Sequence, residues 1–139
     1  MVKVMCLLHM VPKMLKTYPI SKVYAAAKTY RQQARSWRGG PLHIPTRRAT
    51  LVDAVGLATM AFMRKAGWPV EVAQRAAAKA AEAANTDNPD LVAVYGHGDS
   101  WSVTRATRDS IGRLTDGGYL TFVLSVAWVR ESILQRLEP

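Results

Sequence analysis

The apolar positions first take up a helical period in ISKVYAAAK, where Ile20, Val23, Tyr24 and Ala27 stand at i, i+3, i+4 and i+7. That spacing lines one face of an α-helix, and Ser21 is its candidate N-cap. After Lys28 and Thr29 the pattern returns in TYRQQARSWRGG over about 30–38, with Tyr30, Ala34 and Trp37 turned inward and Gly39 as a stop. Two short amphipathic helices joined by a tight turn predict a helix-turn-helix.

In GGPLHIPTRR, Gly39, Gly40, Pro41 and Pro45 break any helix while Leu42 and Ile44 alternate around His43, which predicts a small hairpin or extended wing. Thr50 and Asp53 form a capping box opening a helix to about Ala66, with Leu51, Val55, Ala58, Phe62 and Met63 as its inward positions. Gly67 ends that helix, and Pro69 starts an alanine-dense one to about Ala84.

NTDNPD, residues 85–90, is a turn-rich linker. Beyond it LVAVY and WSVTR flank GHGDS as two strands with a five-residue loop, and TDGG marks another turn. YLTFVLS reads as a strand and VAWVRESILQRL as a helix carrying Val126, Val129, Ile133 and Leu137 on one face, so the change falls near Ser125. The fold class expected is mainly α with a small β component. Its parts are a leader (1–17), a winged helix-turn-helix (18–84), the linker and an α+β unit (91–139).

Charge sharpens this picture. Residues 1–52 hold ten Lys or Arg and no acid, while the rest holds nine against ten, so a net charge of +9 sits almost wholly in the first part of the 139-residue chain. Such segregation points to a polyanionic partner. With Tyr30, Ala34 and Trp37 inward, Arg31, Gln32, Arg35 and Arg38 remain on the outer arc. Arg pairs bidentately with guanine and Gln with adenine, which suits that helix to a DNA major groove. Lys22 and Lys28 are placed to hold the phosphate backbone from the first helix, and Arg47 and Arg48 from the wing.

ISKVYAAAKTYRQQARSWRGGPLHIPTRR resembles the helix-turn-helix and wing of the MerR family and its excisionase-like relatives, and LVDAVGLATMAFMRKAGWPVEVAQRAAAKA resembles that family's next two helices. The resemblance covers residues 18 to about 84. It implies that Arg31, Gln32, Arg35 and Arg38 make the recognition-helix contacts, that Trp37 anchors that helix in the core, and that Arg47 and Arg48 form the wing.

Other chemistry is poorly represented. One cysteine, Cys6, excludes an internal disulfide and fits a reducing, cytoplasmic setting, and His9, His43 and His97 lack zinc-ligand spacing. In GHGDS, His97, Asp99 and Ser100 are turn neighbours, whereas a catalytic triad is assembled from distant positions. No metal, cofactor or enzymatic activity is expected, and no apolar run reaches the roughly 20 residues needed to span a membrane. Tyr95, Trp101, Tyr119, Phe122 and Trp128 crowd the last part of the chain, for an internal core or a homodimer interface. The expectation is a dimeric, sequence-specific regulator that binds double-stranded DNA. The alternatives are an excisionase-like or packaging factor that bends DNA, and a protein-interaction adaptor.

Overall fold

The computed structural model of the chain describes residues 16–97, 100–116 and 120–139. Residues 1–15 of the expected leader, Gly98 and Asp99 of GHGDS, Gly117 and Gly118 of TDGG, and Tyr119 lie outside the described residues, and Thr115 and Asp116 of TDGG end a helix. The order of elements is β1 (Thr17–Pro19), α1 (Ile20–Ala26), α2 (Arg31–Ser36), β2 (Arg48–Thr50), α3 (Leu51–Lys65), α4 (Val70–Ala84), β3 (Leu91–His97), β4 (Ser100–Ala106), α5 (Arg108–Asp116), β5 (Leu120–Ser125) and α6 (Val126–Leu137). The fold is mainly helical, with two small antiparallel sheets ordered β1-β2 and β4-β3-β5.

The first sheet differs from expectation. Within residues 39–48 there is no hairpin: β2 pairs back with β1 in the register Thr17↔Thr50, Tyr18↔Ala49 and Pro19↔Arg48. Thr17, assigned to the leader by its sequence, therefore opens a strand. Leu42, Ile44 and Pro45 are buried, so the segment between α2 and β2 lies along the core as an extended strap. Leu42 seats against Gly56 of α3, where a Cβ would come within 2.7 Å of its Cδ1.

α1 begins at Ile20 directly after Pro19, so Ser21 is not its N-cap. A proline before the first turn supplies a φ suited to helix entry and lacks an N–H that would need a partner. The chain leaves α1 through the cap Ala27 and then Lys28, whose φ of 59° makes it the only non-glycine with positive φ among the described residues. The left-handed turn lets Thr29 N–H reach Tyr24 O at 2.9 Å, closing the last exposed carbonyls of the helix.

α3 starts as its sequence predicts. Thr50 Oγ1 accepts from Asp53 N–H at 3.2 Å, and Asp53 Oδ2 accepts from Thr50 N–H at 3.0 Å. Leu57, Met60 and Met63 on its inner face are fully buried, each worth about 1.5–3 kcal/mol relative to exposure. Phe62 departs from expectation by facing outward at 53% exposure. Ala73, Ala76, Ala77, Ala80, Ala83 and Ala84 of α4 have no exposure, and α4 packs against α3. Small side chains let the two helices approach closely.

The three-stranded sheet and α6 continue this core. The loop at GHGDS is shorter than expected, because Gly96↔Trp101 and His97↔Ser100 are already paired in the ladder. Trp68, between α3 and α4, meets Trp101 edge-on at 5.1 Å and Phe122 at 6.0 Å, which fastens the sheet to the helices. Ser125 caps α6 by accepting from Trp128 N–H at 3.3 Å, and Val126, Val129, Ile133 and Leu137 are all buried. One hydrophobic cluster runs from Tyr18 to Leu137. Arg130 donates to Ala84 O at 2.9 Å and Thr86 O at 2.6 Å, holding α6 to the end of α4. Among the described residues, no helix is long and apolar enough to cross a membrane.

Candidate nucleic-acid interface

The first two helices set their polar side chains by which residues they bury. Ala34 and Trp37 are 0% and 3% exposed, so α2 can present only its opposite arc to solvent. Arg31 and Arg35, at i and i+4, are exposed on that arc, and Gln32 beside them is exposed too. Arg38, also exposed, follows the C-cap Trp37, in the turn leading to Gly39.

Tyr30 does not join the core. It occupies the N-cap of α2 with φ −144° and ψ 165° and is 60% exposed. A residue in an extended conformation stands outside the helical wheel, so counting i, i+4, i+7 from it put its ring on the wrong side. Its ring instead lies at the entry to α2, next to Arg31. Gln33 is also distinguished from its neighbour: it is half-buried, and its Oε1 accepts from Thr29 Oγ1 at 2.6 Å. The free amide on this helix is that of Gln32.

Lys22 and Lys28 are exposed on α1 and in the turn after it, and Arg47 and Arg48 follow the strap. Arg48 is anchored: its Nε donates to Thr17 Oγ1 at 2.8 Å and its guanidinium to Thr17 O at 2.9 Å. Among the described residues, none of Lys22, Lys28, Arg31, Arg35, Arg38, Arg47 and Arg48 forms a salt bridge. Residues 16–52, which carry all seven, hold no acid, so their charge is not offset within that segment.

The support beneath α2 comes from a residue that the pattern of apolar positions hides. Gln74 on α4 is 6% exposed, and its Nε2 donates to Trp37 O at 2.9 Å. A single long amide within an alanine-rich buried face is the signal that could have identified it. Among the described residues, no group of His, Cys, Asp and Glu is arranged to hold a metal ion. The comparisons with known proteins identify no matching family model and no matching curated protein.

Proposed function

We propose that this chain is a sequence-specific double-stranded DNA-binding regulator in which α1, its turn and α2 act as a helix-turn-helix and the strap ending at Arg47 and Arg48 acts as a wing. The observation that carries the reading is the division of α2: Ala34 and Trp37 are sealed inside while Arg31, Gln32, Arg35 and Arg38 are outside and unpaired. A helix of six residues places few side chains against a groove. Specific recognition therefore calls for a homodimer reading two half-sites, with phosphate contacts from Lys22, Lys28 and Arg47 setting the register.

The test is selection of random duplex DNA by the purified protein, followed by sequencing and a salt titration of the enriched site. A two-fold symmetric motif is expected, with log affinity falling linearly against log salt at a slope of about −0.9 per neutralised phosphate. Absence of enrichment, or displacement by an acidic protein at concentrations where unrelated duplex does not compete, overturns the reading in favour of an adaptor.

A further inference from the structure

The turn after α1, the outer side of α3, β5 and α6 enclose an apolar groove of about 490 Å³, which Lys28 joins to the proposed DNA-binding surface. Its walls include Ala58 and Phe62 from α3, Leu124 from β5 and Trp128 from α6. Two of these are large rings held at the water's edge: Phe62 is 53% and Trp128 68% exposed. Phe62 is braced by Phe122 at 6.1 Å, so the wall it forms is backed by the core. Lys28, Lys65 and Arg136 also line the groove, and no Asp or Glu does. None of these three cations is in a salt bridge among the described residues.

From this composition we infer that the groove is a binding site for a small amphipathic carboxylate, its apolar body between Phe62 and Trp128 and its anionic head at the cationic rim. The volume lies in the range of small-molecule sites, about 300–1,000 Å³, and the chemistry is the usual one of an apolar lining with few charged groups. The charges argue against the same face binding a second copy. A two-fold contact uses the same patch of both copies, so it would bring two sets of Lys28, Lys65 and Arg136 into one interface with no acid in the groove lining to offset them. An anionic head matches all three. Arg136 is held for this task, since one of its N–H groups donates to Ala26 O at 2.8 Å and orients the guanidinium across the end of α1. The inference does not depend on DNA binding, and Lys28 is the one residue the two proposed surfaces share.

The experiment is calorimetric titration of the full chain with decanoate below its micelle-forming concentration, with decan-1-ol and decylamine as head-group controls and tryptophan fluorescence as a second readout. Trp128 is the one exposed tryptophan among the four. One decanoate per chain is expected, with a blue shift in emission that disappears in Trp128→Phe. Decanol and decylamine should bind at least about tenfold more weakly, and Lys65→Glu should weaken decanoate by a similar factor. Ser132→Phe, which places a ring inside the groove, should abolish binding. If that variant does not fold, the exposed Lys65 variant decides. Equal affinity for decanoate and decanol, or no heat and no spectral change, overturns the inference. So does a concentration-dependent dimer that Trp128→Ala dissolves and decanoate leaves intact, because the face would then belong to a second copy.

Discussion

Gln74 Nε2 donates to Trp37 O at 2.9 Å, joining α4 to the end of α2 across 37 residues of sequence. Gly40 sits against the same amide, and a Cβ there would fall 1.4 Å from Gln74 Oε1. The three residues form one joint under the proposed recognition helix. Gln74→Ala leaves a buried carbonyl without its donor and is expected to cost about 1–3 kcal/mol. Gly40→Ala displaces the same side chain, so the double variant should be less destabilised than the sum of the singles by about 0.5–3 kcal/mol. Urea denaturation of the four proteins checks this, and strict additivity would mean that Gly40 and Gln74 do not share a contact.

Arg35 and Arg48 are both exposed, yet their surroundings predict opposite phenotypes. Arg35 has no acidic partner, so Arg35→Ala should leave stability within about 0.5 kcal/mol of the parent. Its affinity for a selected duplex should fall by about 1–3 kcal/mol, with relaxed base preference. Arg48 is bonded twice to Thr17, so Arg48→Ala should lower stability by about 0.5–1.5 kcal/mol through the β1-β2 pair. Denaturation and duplex binding of both variants give the answer. Uniform weakening of Arg35→Ala on all sequences would assign Arg35 to phosphate instead.

Lys28 holds a left-handed conformation at φ 59° that an L side chain with a Cβ adopts at a cost. Lys28→Gly removes that cost and a cation together. Stability should rise by about 0.5–1 kcal/mol, since relief of the strain exceeds the added freedom of the unfolded chain. If Lys28 meets a phosphate, the salt slope of duplex binding should shrink by about one unit in the same variant. Thermal melts and a salt titration separate the two effects. A destabilised Lys28→Gly protein would show that the lysine side chain makes a stabilising contact of its own.

Local chemistry was readable at some element ends and not at others. Thr50 and Asp53 close their capping box as expected and the change from strand to helix falls at Ser125, whereas Pro19 and not Ser21 stands at the N-cap of α1. β1 was not readable because three residues cannot show a period, and their partner lies at 48–50. α5 was missed because RDSIGRLTD carries only Ile111 and Leu114 as large apolar residues, and its start looks like loop. Thr107 and Ser110 mark that start through reciprocal bonds, Thr107 N–H to Ser110 Oγ at 2.8 Å and Ser110 N–H to Thr107 Oγ1 at 3.2 Å. In the candidate site, helical spacing placed Ala34, Arg31 and Arg35 within α2 and failed at Tyr30, where the helix has not yet begun; Arg38 is exposed too, but in the turn after the helix has ended. Spacing within a helix also cannot reveal Gln74 as a support, because its partner Trp37 is fixed only by tertiary packing.

Tyr18, 3% exposed in β1, joins the two ends of the described chain through its neighbours Lys16 and Glu138, which form an ion pair. The Lys16 ammonium stands 5.5 Å from the Tyr18 ring centroid. Burial raises the Tyr18 phenol above its ordinary 10.0, and the Glu138 carboxylate adds to the rise. Hydrogen bonding to Glu138, followed by its charge, raises Lys16 above 10.5. Both groups therefore keep a proton in the folded state at pH values where the unfolded chain has released it. Their contribution is complete below about pH 10 and is lost as pH rises through the raised folded values. Stability measured by urea melts should fall from about pH 10 upward, and Tyr18→Phe should make that fall shallower because the ring stays and the phenol does not. Glu138→Gln should return the Lys16 and Tyr18 titrations toward their ordinary values, read by NMR for the lysine and by ultraviolet absorbance for the phenol. If Tyr18→Phe loses stability as steeply as the parent across that range, the alkaline transition arises elsewhere in the fold.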